Sequence, residues 1–227
     1  METKPNAYYN LKLTDEQIEK GAYRGVVGGN WEVTQKITID YLIKNGLKKE
    51  NVLLDLGCGP FRNGVAIINY LESGNYYGLD VSADLVKAGY EKEIKPLGLD
   101  VKFPKKNVVT NQSFSLGKFK DVNFDVMLAV SLFTHLPKEE FVLAMTKVRE
   151  KMAPGGKAFV SLFLVDEKQE GSKVWSDIRV KTNPDSDPFH HKLSDVKEVC
   201  EKSGWSSVVV GEDPNYPRKQ KFVIFTA

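Results

Sequence analysis

Cysteine is scarce in this 227-residue chain, and uninterrupted apolar stretches of membrane-spanning length are missing. The two cysteines, Cys58 and Cys200, lie far apart and without metal-ligand spacing. Neither a disulfide framework nor a metal site is therefore predicted, and we expect two free thiols. The longest apolar runs, at residues 126–133 and 159–165, suit buried strands and fall short of the roughly 18 residues that a membrane helix needs.

A marked excess of one charge is also missing, since 32 lysines and arginines stand against 30 aspartates and glutamates. This balance does not favour nucleic acid as a partner, because nucleic-acid-binding domains are typically strongly basic. One basic stretch does occur, and it fits either a solvated rim or a phosphate-binding patch; it consists of Lys102, Lys105, Lys106, Lys118 and Lys120. The polar start of the chain lacks the apolar segment of a secretory signal, so we expect a cytoplasmic protein.

Secondary-structure signals alternate along the chain from residue 51 onward, in a globular composition of 41% hydrophobic and 27% charged residues. Short runs rich in Val, Leu, Ile and Phe alternate with segments of helical period, which is typical of crossover units on a parallel sheet. The predicted strands are residues 52–56, 76–80, 106–110, 124–130, 157–164, 206–210 and 222–225. The predicted helices between them are residues 63–72, 83–94, 138–152 and 194–203, with Ser82 and Ser194 as caps of the second and fourth.

The two ends of the chain complete the predicted architecture. Only residues 211–218 join the last two strands, so we expect an antiparallel hairpin there. Near the start, helices at residues 15–20 and 31–44 flank a glycine-rich segment. We therefore predict one domain, with a helical extension or lid over residues 1–46 and an α/β core over residues 47–227. This core is expected to be doubly wound and Rossmann-like, with a seven-stranded, mostly parallel sheet and an antiparallel last strand.

A glycine-rich turn follows the first predicted strand. Gly57 and Gly59 allow a tight turn and the close approach of a ligand to the backbone. Asp80 ends the second predicted strand, twenty-one residues after Gly59. This is near the ~20-residue offset at which a carboxylate binds ribose hydroxyls in doubly wound folds. The glycine turn and Asp80 together predict a site for a ribose-containing ligand.

Two departures separate this turn from a dinucleotide-binding loop. Arg62 stands where such a loop has its third glycine, and Asp55 lies just before the first glycine. A carboxylate at this place would repel a pyrophosphate, but it would favour a ligand with an ammonium or sulfonium group. The charges therefore disfavour NAD.

Four segments of the chain resemble motifs of the class I S-adenosylmethionine-dependent methyltransferases, in the order that this family has them. Residues 52–64 resemble motif I, residues 77–82 the second motif, residues 124–131 the fourth strand, and residues 152–157 the turn before the fifth strand. The resemblance implies an enzyme that uses S-adenosylmethionine and releases S-adenosylhomocysteine. Residues 27–31, Arg62 and residues 131–137 also resemble bacterial methyltransferases associated with the methylation of saccharide or other small-molecule hydroxyls.

The resemblance implies contacts to the methionine portion of the cofactor from the first loop. Gly57, Cys58 and Gly59 would lie against it, and Asp55 would reach its ammonium group through water or nearby backbone. Arg62 would either pair with the cofactor carboxylate or cap the loop.

The resemblance also implies contacts to the nucleoside portion. Asp80 would bind both ribose hydroxyls, and Val81 would pack on adenine. The loop after the third strand lacks the acidic residue that the family has there, so an amide or hydroxyl must replace it. The remaining candidates for cofactor contacts are Asn111, Gln112, Ser113 and Val130.

His135 is the first candidate for a catalytic base, because the fourth strand delivers it to the carboxyl edge of the sheet, where ligands bind in this fold. Methyl transfer is an in-line displacement that needs an aligned acceptor and, for a hydroxyl, removal of its proton. His135 could equally cap the following helix.

Five further residues are candidates for the catalytic or substrate-binding site. His190 and His191 follow a turn-rich segment that could cover the acceptor pocket, and they are either further base candidates or loop histidines. Tyr23, Trp31 and Phe133 are candidates for substrate contacts, and Trp31 is otherwise a core anchor.

The sequence therefore predicts methyl transfer to a small-molecule hydroxyl of a sugar or natural product. The alternatives are an RNA or protein methyltransferase and a non-catalytic cofactor-binding protein. Residues 213–216, Asp-Pro-Asn-Tyr, are similar to the Asp-Pro-Pro-Tyr of amino-methylating enzymes, but they follow the sixth strand rather than the fourth, and we predict a hairpin turn.

Overall fold

The computed structural model describes residues 8–212 and 214–227. The chain forms two compact units: the first covers the described residues up to Phe119, and the second runs from Lys120 to Ala227. Among the described residues, no helix combines the length and the apolar character needed to cross a membrane. The cellular compartment and the single-domain organisation stay predictions.

Within the described residues, the first unit contains five α-helices and three parallel strands. The helices are α1 (Asp15–Glu19), α2 (Ala22–Val26), α3 (Trp31–Lys44), α4 (Gly64–Tyr70) and α5 (Ala83–Gly89); the strands are β1 (Leu53–Leu56), β2 (Tyr76–Asp80) and β3 (Val108–Thr110). β1 and β3 both pair with β2 in parallel. All four residues of β1 are buried, as expected for a strand that is covered on both faces.

The second unit carries the rest of the sheet and two helices. Its elements are β4 (Phe124–Ala129), α6 (Lys138–Arg149), β5 (Met152–Leu162), β6 (Leu164–Val165), β7 (Lys173–Trp175), β8 (Val180–Thr182), β9 (His191–Lys192), α7 (Leu193–Lys202), β10 (Ser207–Val210) and β11 (Lys221–Thr226). β4 and β5 are parallel, whereas β11 is antiparallel to both β5 and β10.

The main sheet has seven strands in the order β10-β11-β5-β4-β1-β2-β3. The predicted doubly wound, mostly parallel sheet with an antiparallel last strand is thus confirmed. The predicted hairpin of the last two strands is also confirmed; its residue 213 lies outside the described residues, so the predicted turn at residues 213–216 is described only in part.

Several predicted boundaries and connections were wrong. α6 ends at Arg149, and β5 already begins at Met152, so Pro154 and the two following glycines lie within the span of this strand. Helix α5 passes into a π-helical turn at Tyr90–Ile94. The pairs β6–β9 and β7–β8 were not predicted, because strands of two or three residues are too short for a clear alternation of polar and apolar residues.

The predicted caps of two helices had different outcomes. Ser82 caps α5 as predicted, since its hydroxyl accepts a hydrogen bond from the Leu85 N–H. Ser194 does not cap α7, because its N–H and hydroxyl both donate to Glu167. The α7 terminus is instead fixed by Asp195, whose carboxylate accepts a hydrogen bond from the Lys192 N–H.

Candidate active site

The loop between β1 and α4 has a backbone that glycine favours. Gly57 and Gly59 have φ values of 76° and 51°, in the left-handed region. The N–H groups of Gly57 and Cys58 both donate to the carbonyl oxygen of Leu79, at 2.7 and 3.1 Å. These bonds fasten the turn to the end of β2, so the first two strands present their carboxyl ends together.

Asp80 holds the same loop through its side chain. One carboxylate oxygen accepts a hydrogen bond from the Gly59 N–H at 2.7 Å, and the other accepts one from the Ser82 N–H at 2.8 Å. Only 7% of Asp80 is exposed, and burial raises the pKa of its carboxyl, although its bonds to backbone N–H groups oppose that shift. The side chain therefore stands in a fixed orientation beside the glycine turn.

Asp55 provides a second buried carboxyl group at this end of the sheet. Its carboxyl accepts a hydrogen bond from the Tyr76 hydroxyl at 2.7 Å. Burial is the largest cause that raises the pKa of Asp55 to about 7, and the negative charge of Asp80 adds to the shift. A cationic ligand group nearby would favour the ionised form of Asp55. Cys58 is buried between these groups, and burial raises the pKa of its thiol well above the usual value.

Arg62 joins the glycine turn to the glycine-rich segment before α3. Its guanidinium Nη1 donates to the carbonyl oxygen of Val27 at 2.6 Å. Gly28 and Gly29, the next two residues, have left-handed φ values of 87° and 63°. This contact agrees with the interpretation of Arg62 as a loop cap, and its pairing with a cofactor carboxylate stays a prediction.

A buried glutamate that the sequence analysis missed holds the N-terminal helices on the first unit. Glu93 accepts hydrogen bonds from the Tyr23 hydroxyl at 2.6 Å and from Nε and Nη2 of Arg24, both at 2.7 Å. Burial, together with Glu93, raises the pKa of Tyr23 to about 12. The Arg24 guanidinium lies 4.7 Å from the centre of the Trp31 ring. No local sequence pattern distinguishes Glu93 from Glu91, two residues before it, which is only half-buried.

Tyr23 and Trp31 both belong to a core cluster of the first unit. The cluster also contains Ile18, Leu85 and Ala88. Trp31 is 4% exposed and meets Tyr23 edge to face, with 6.1 Å between the ring centres. The structure thus gives both residues a packing role, and their contacts with substrate stay a prediction.

The loop after β3 is organised by Asn111. Its side-chain oxygen accepts hydrogen bonds from the N–H groups of Ser113 and Ser115, and its amide nitrogen donates to the Ser115 carbonyl. Gln112 and Ser113 are exposed, and Val81 is half-buried after the end of β2. The Asn111 amide is therefore used within its own loop, whereas Gln112 and Ser113 remain accessible for the predicted adenine contact.

The segment after β4 has an unusual backbone at Ser131, which is bonded to two polar side chains from elsewhere in the second unit. Ser131 has a left-handed φ of 59°, which is uncommon for a residue with a Cβ atom. Its hydroxyl donates to Gln220 Oε1 at 2.9 Å, and its N–H donates to the Ser161 hydroxyl at 2.8 Å. Such conformations cluster at functional sites, where the surrounding structure holds them. Val130, a predicted cofactor contact, lies directly before this residue and is half-buried.

His135 is paired with a carboxylate that the sequence analysis did not single out. Its Nδ1 lies 2.8 Å from Asp187 Oδ1. Because an ionised carboxylate only accepts hydrogen bonds, Nδ1 carries the proton and the lone pair of the neutral ring lies on Nε2. His135 is partly exposed, with 27% of its side chain accessible. The carboxylate of Asp187 thus orients the His135 ring, and a catalytic role of His135 stays a prediction.

The other histidines and Phe133 lie in the interior of the second unit. His190 Nδ1 lies 2.8 Å from the Thr182 hydroxyl, and His191 Nε2 lies 3.0 Å from the Phe133 carbonyl oxygen. Burial lowers the pKa of both histidines, so their neutral forms are favoured. Phe133 is fully buried and stacks on Phe141 with 3.9 Å between ring centres. The geometry gives these three residues structural contacts, and their roles in catalysis or substrate binding stay predictions.

Comparison with known proteins finds a methyltransferase domain in this chain. Residues 54–158 match the family model described as "Methyltransferase domain". An uncharacterized methyltransferase of Schizosaccharomyces pombe is 31% identical over 121 residues, which cover 51% of this chain and 41% of that protein. The chain therefore spans about two fifths of the length of this relative.

Solved structures share the fold at low sequence identity. A protein of Nostoc punctiforme described as a "putative O-methyltransferase" matches with a TM-score of 0.64 and 14% identity, over 93% of this chain and 59% of the other. Magnesium protoporphyrin IX methyltransferase of Synechocystis, with bound S-adenosylmethionine, matches with a TM-score of 0.58 and 14% identity, over 97% and 88%.

The fold and the matched domain point in the same direction. The chain has the strand order of this fold, and a glycine turn fastened to the carboxylate at the end of β2. The chain therefore has the fold of the class I S-adenosylmethionine-dependent methyltransferases, and its residues 54–158 match a methyltransferase domain.

Proposed function

We propose that the protein transfers a methyl group from S-adenosylmethionine to the hydroxyl of a small molecule, such as a sugar or natural product, and that His135 is the base. The observation that carries the proposal is the 2.8 Å hydrogen bond between His135 Nδ1 and Asp187. A methyl transfer to sulfur or to a neutral amine has less need of a base, whereas a hydroxyl must lose its proton. An oriented imidazole therefore favours a hydroxyl acceptor.

The residues of the first unit fit S-adenosylmethionine. The Asp80 carboxylate is held by two backbone N–H groups and has the acceptor oxygens that ribose hydroxyls require. Asp55 supplies a carboxyl group for a cationic neighbour. The left-handed Gly57 and Gly59 leave backbone without side chains at the turn. S-adenosylmethionine carries an ammonium, a sulfonium and a ribose, so its chemistry matches this set of groups.

The chain's own residues would orient the acceptor and remove its proton. Bound S-adenosylmethionine supplies an electrophilic methyl group on a sulfonium sulfur. His135 Nε2 would take the hydroxyl proton as the oxygen–carbon bond forms and the carbon–sulfur bond breaks. The products are a methyl ether, S-adenosylhomocysteine and a protonated His135. Asp187 would keep the proton on Nδ1 and stabilise the positive ring, which makes it a positioning residue.

Two solved neighbours are consistent with the proposal. One is described as a "putative O-methyltransferase", and another carries S-adenosylmethionine in its solved structure. In this chain, the hydroxyl acceptor is inferred from the His135–Asp187 pair, and the cofactor from the loop that Asp80 holds.

A methyl-transfer assay tests the proposal. S-adenosylmethionine with a labelled methyl group would be offered with a panel of hydroxylated sugars and phenols, together with amine and thiol analogues of the best acceptor. We expect label in a hydroxyl product, and a kcat that falls about 100-fold or more in His135→Ala, within the usual range for loss of a general base. Transfer to amines or thiols only, or an unchanged kcat in His135→Ala, would overturn the proposal. The control for a general effect of substitution in the second unit is Lys168→Ala, because Lys168 is exposed. His190→Ala is not used as the control, because the His190 ring is buried and its loss would disturb the fold.

A further inference from the structure

The strand β3 ends the main sheet and has an open edge. Within the described residues it is the last strand of the sheet order and pairs only with β2. The Asn111 N–H donates to the Asp80 carbonyl of β2. Backbone groups of successive strand residues point to opposite edges, so the N–H and C=O groups of Val108 and Thr110 point away from β2. An added strand would find these groups as hydrogen-bonding partners.

A cleft of about 610 Å³ runs along this edge, between β3 and helix α5. Ala83, Val86 and Lys87 lie on one face of α5, because they are spaced three and four residues apart from Ala83. Tyr90, from the π-helical turn that follows α5, also lines the cleft. Val86 is 9% exposed, and Tyr90 is 6% exposed. A groove with an apolar floor between a helix and an edge strand is the geometry by which peptides are bound as an additional strand.

The cleft is lined by more positive than negative side chains. Three lysines, Lys87, Lys105 and Lys118, line it together with one glutamate, Glu91. Glu91 is engaged by Lys95 and Lys105, and their hydrogen bonds lower the pKa of its carboxyl. The Lys105 ammonium also lies 5.0 Å from the centre of the Tyr90 ring. Lys87 also pairs with Asp15 at 3.7 Å, and Lys95 pairs with Glu91 from outside the lining. With these partners included, four lysines stand against two acidic residues, so the net charge of the cleft is positive and complementary to an acidic partner.

We propose that an extended acidic peptide segment of a partner protein binds in this cleft as an additional strand on β3. Its backbone would pair with Val108 and Thr110. One face of its side chains would lie on Val86 and Tyr90, and its carboxylates would meet the three lysines. Lysines along an edge strand can instead serve to prevent pairing with other chains. If the lysines have only this protective role, an acidic peptide will show no saturable binding. The proposal does not depend on the methyl acceptor.

Fluorescence anisotropy with a labelled peptide of ten alternating valines and glutamates tests the proposal on the full chain. The backbone contribution is tested at Thr110, whose N–H does not bond to β2. Thr110→Pro removes this N–H and places a ring on the open edge, whereas Thr110→Ala keeps the N–H. We expect saturable binding that Thr110→Pro weakens about tenfold or more, through a lost hydrogen bond and a steric clash, and that Thr110→Ala changes less than about twofold.

The contribution of charge is tested by the double variant Lys105→Ser with Lys118→Ser. The matched control is Lys36→Ser with Lys48→Ser, two exposed lysines of the first unit outside the cleft. We expect at least about fivefold weaker binding in the cleft variant, a loss that shrinks at high salt, and unchanged binding in the control.

Two further experiments test backbone pairing and the specificity for peptide. If Thr110→Pro unfolds, peptides with N-methylated amides at alternate positions test backbone pairing from the partner's side; we expect one of the two methylation patterns to abolish binding. A single-stranded oligoribonucleotide tests whether the lysines bind any polyanion. The proposal would be overturned if the peptide showed no saturable binding, or if both methylation patterns bound equally. It would also be overturned if the oligonucleotide displaced the peptide and Thr110→Pro did not weaken peptide binding.

Discussion

The side chain of Asp80 accepts a hydrogen bond from the backbone N–H of Gly59 at 2.7 Å, across 21 residues of sequence. The acid at the end of the second strand therefore holds the glycine turn that follows the first strand. The same carboxylate is oriented by Ser82. A ligand that bonds to Asp80 would meet a preformed turn rather than ordering one, and this reduces the entropic cost of binding.

Helix α5 approaches the glycine turn so closely that only glycine fits at position 89. A Cβ atom on Gly89 would lie 2.4 Å from the Pro60 carbonyl oxygen. We expect Gly89→Ala to lower the free energy of unfolding by about 2 kcal/mol or more, since the helix must move away from the turn. Urea denaturation measures the change.

Gly25 in helix α2 is the matched control, because a Cβ atom there would meet nothing within 4 Å. Alanine favours the helix, so Gly25→Ala is expected to be neutral or to stabilise by up to about 1 kcal/mol. Equal effects of the two substitutions would contradict the close approach of α5 to Pro60.

The stability of the protein should depend on pH through Asp55. Its pKa is raised from 3.8 to about 7 in the folded chain. A carboxyl with a raised pKa stabilises the folded state below its unfolded pKa, and this contribution is lost as the pH rises towards the folded pKa. The free energy of unfolding of the wild type, relative to Asp55→Asn, should therefore decrease by about 4 kcal/mol at most between pH 4 and pH 7.

Denaturation of both proteins at several pH values measures this difference, and Asp100→Asn, at an exposed position, is the control that should show no such trend. A wild type that gains stability relative to Asp55→Asn over the same range would mean that Asp55 is ionised in the folded chain.

Asp187 should affect turnover but not cofactor affinity. Asp187→Asn can no longer hold the His135 Nδ1 proton as a charged acceptor, so we expect kcat to fall about tenfold while KM for S-adenosylmethionine stays unchanged. Asp187→Glu should restore part of the activity if its longer side chain reaches the ring. Steady-state kinetics with the best acceptor tests both variants, and a fall in cofactor affinity without a fall in kcat would speak against the positioning role.

Glu93 should anchor the N-terminal helices. Glu93→Gln keeps the size of the side chain but removes the charge that Tyr23 and Arg24 contact, so we expect a loss of about 2 kcal/mol in the free energy of unfolding. Limited proteolysis should then cut within residues 8–30 earlier than in the wild type. The exposed Glu50→Gln is the control, and identical cleavage rates in both variants would show that Glu93 does not anchor this segment.

The parts of the site that the sequence predicted are those encoded by local spacing. A buried strand, two glycines and an acid at the end of the next strand fix one another's positions, because parallel neighbours present their carboxyl ends together. The packing of Trp31 and the cap at Ser82 could also be predicted from the sequence. The helical spacing of Trp31 indicates a core position, and Ser82 directly precedes the helix that it caps.

The parts that the sequence did not predict depend on contacts over long separations. Asp187 lies 52 residues after His135, and Gln220 lies 89 residues after Ser131. Glu93 is one of several charged residues in its segment, and its hydrogen-bond partners Tyr23 and Arg24 lie about 70 residues earlier, in α2. Side-chain pairing of this kind is decided by tertiary structure, which spacing within one segment does not encode.

Calorimetric titration with S-adenosylmethionine tests the central claim most directly, with S-adenosylhomocysteine and NAD as further ligands and Asp100→Ala as the control variant. We expect the wild type and the control to bind the first two ligands and not NAD. Asp80→Ala should weaken this binding by at least about 100-fold, because charge-assisted bonds to both ribose hydroxyls are lost. Asp80→Asn, which keeps an acceptor for the Gly59 N–H, separates loss of the charge from loss of the loop. Binding of NAD alone, or undiminished S-adenosylmethionine binding in both Asp80 variants, would contradict the account.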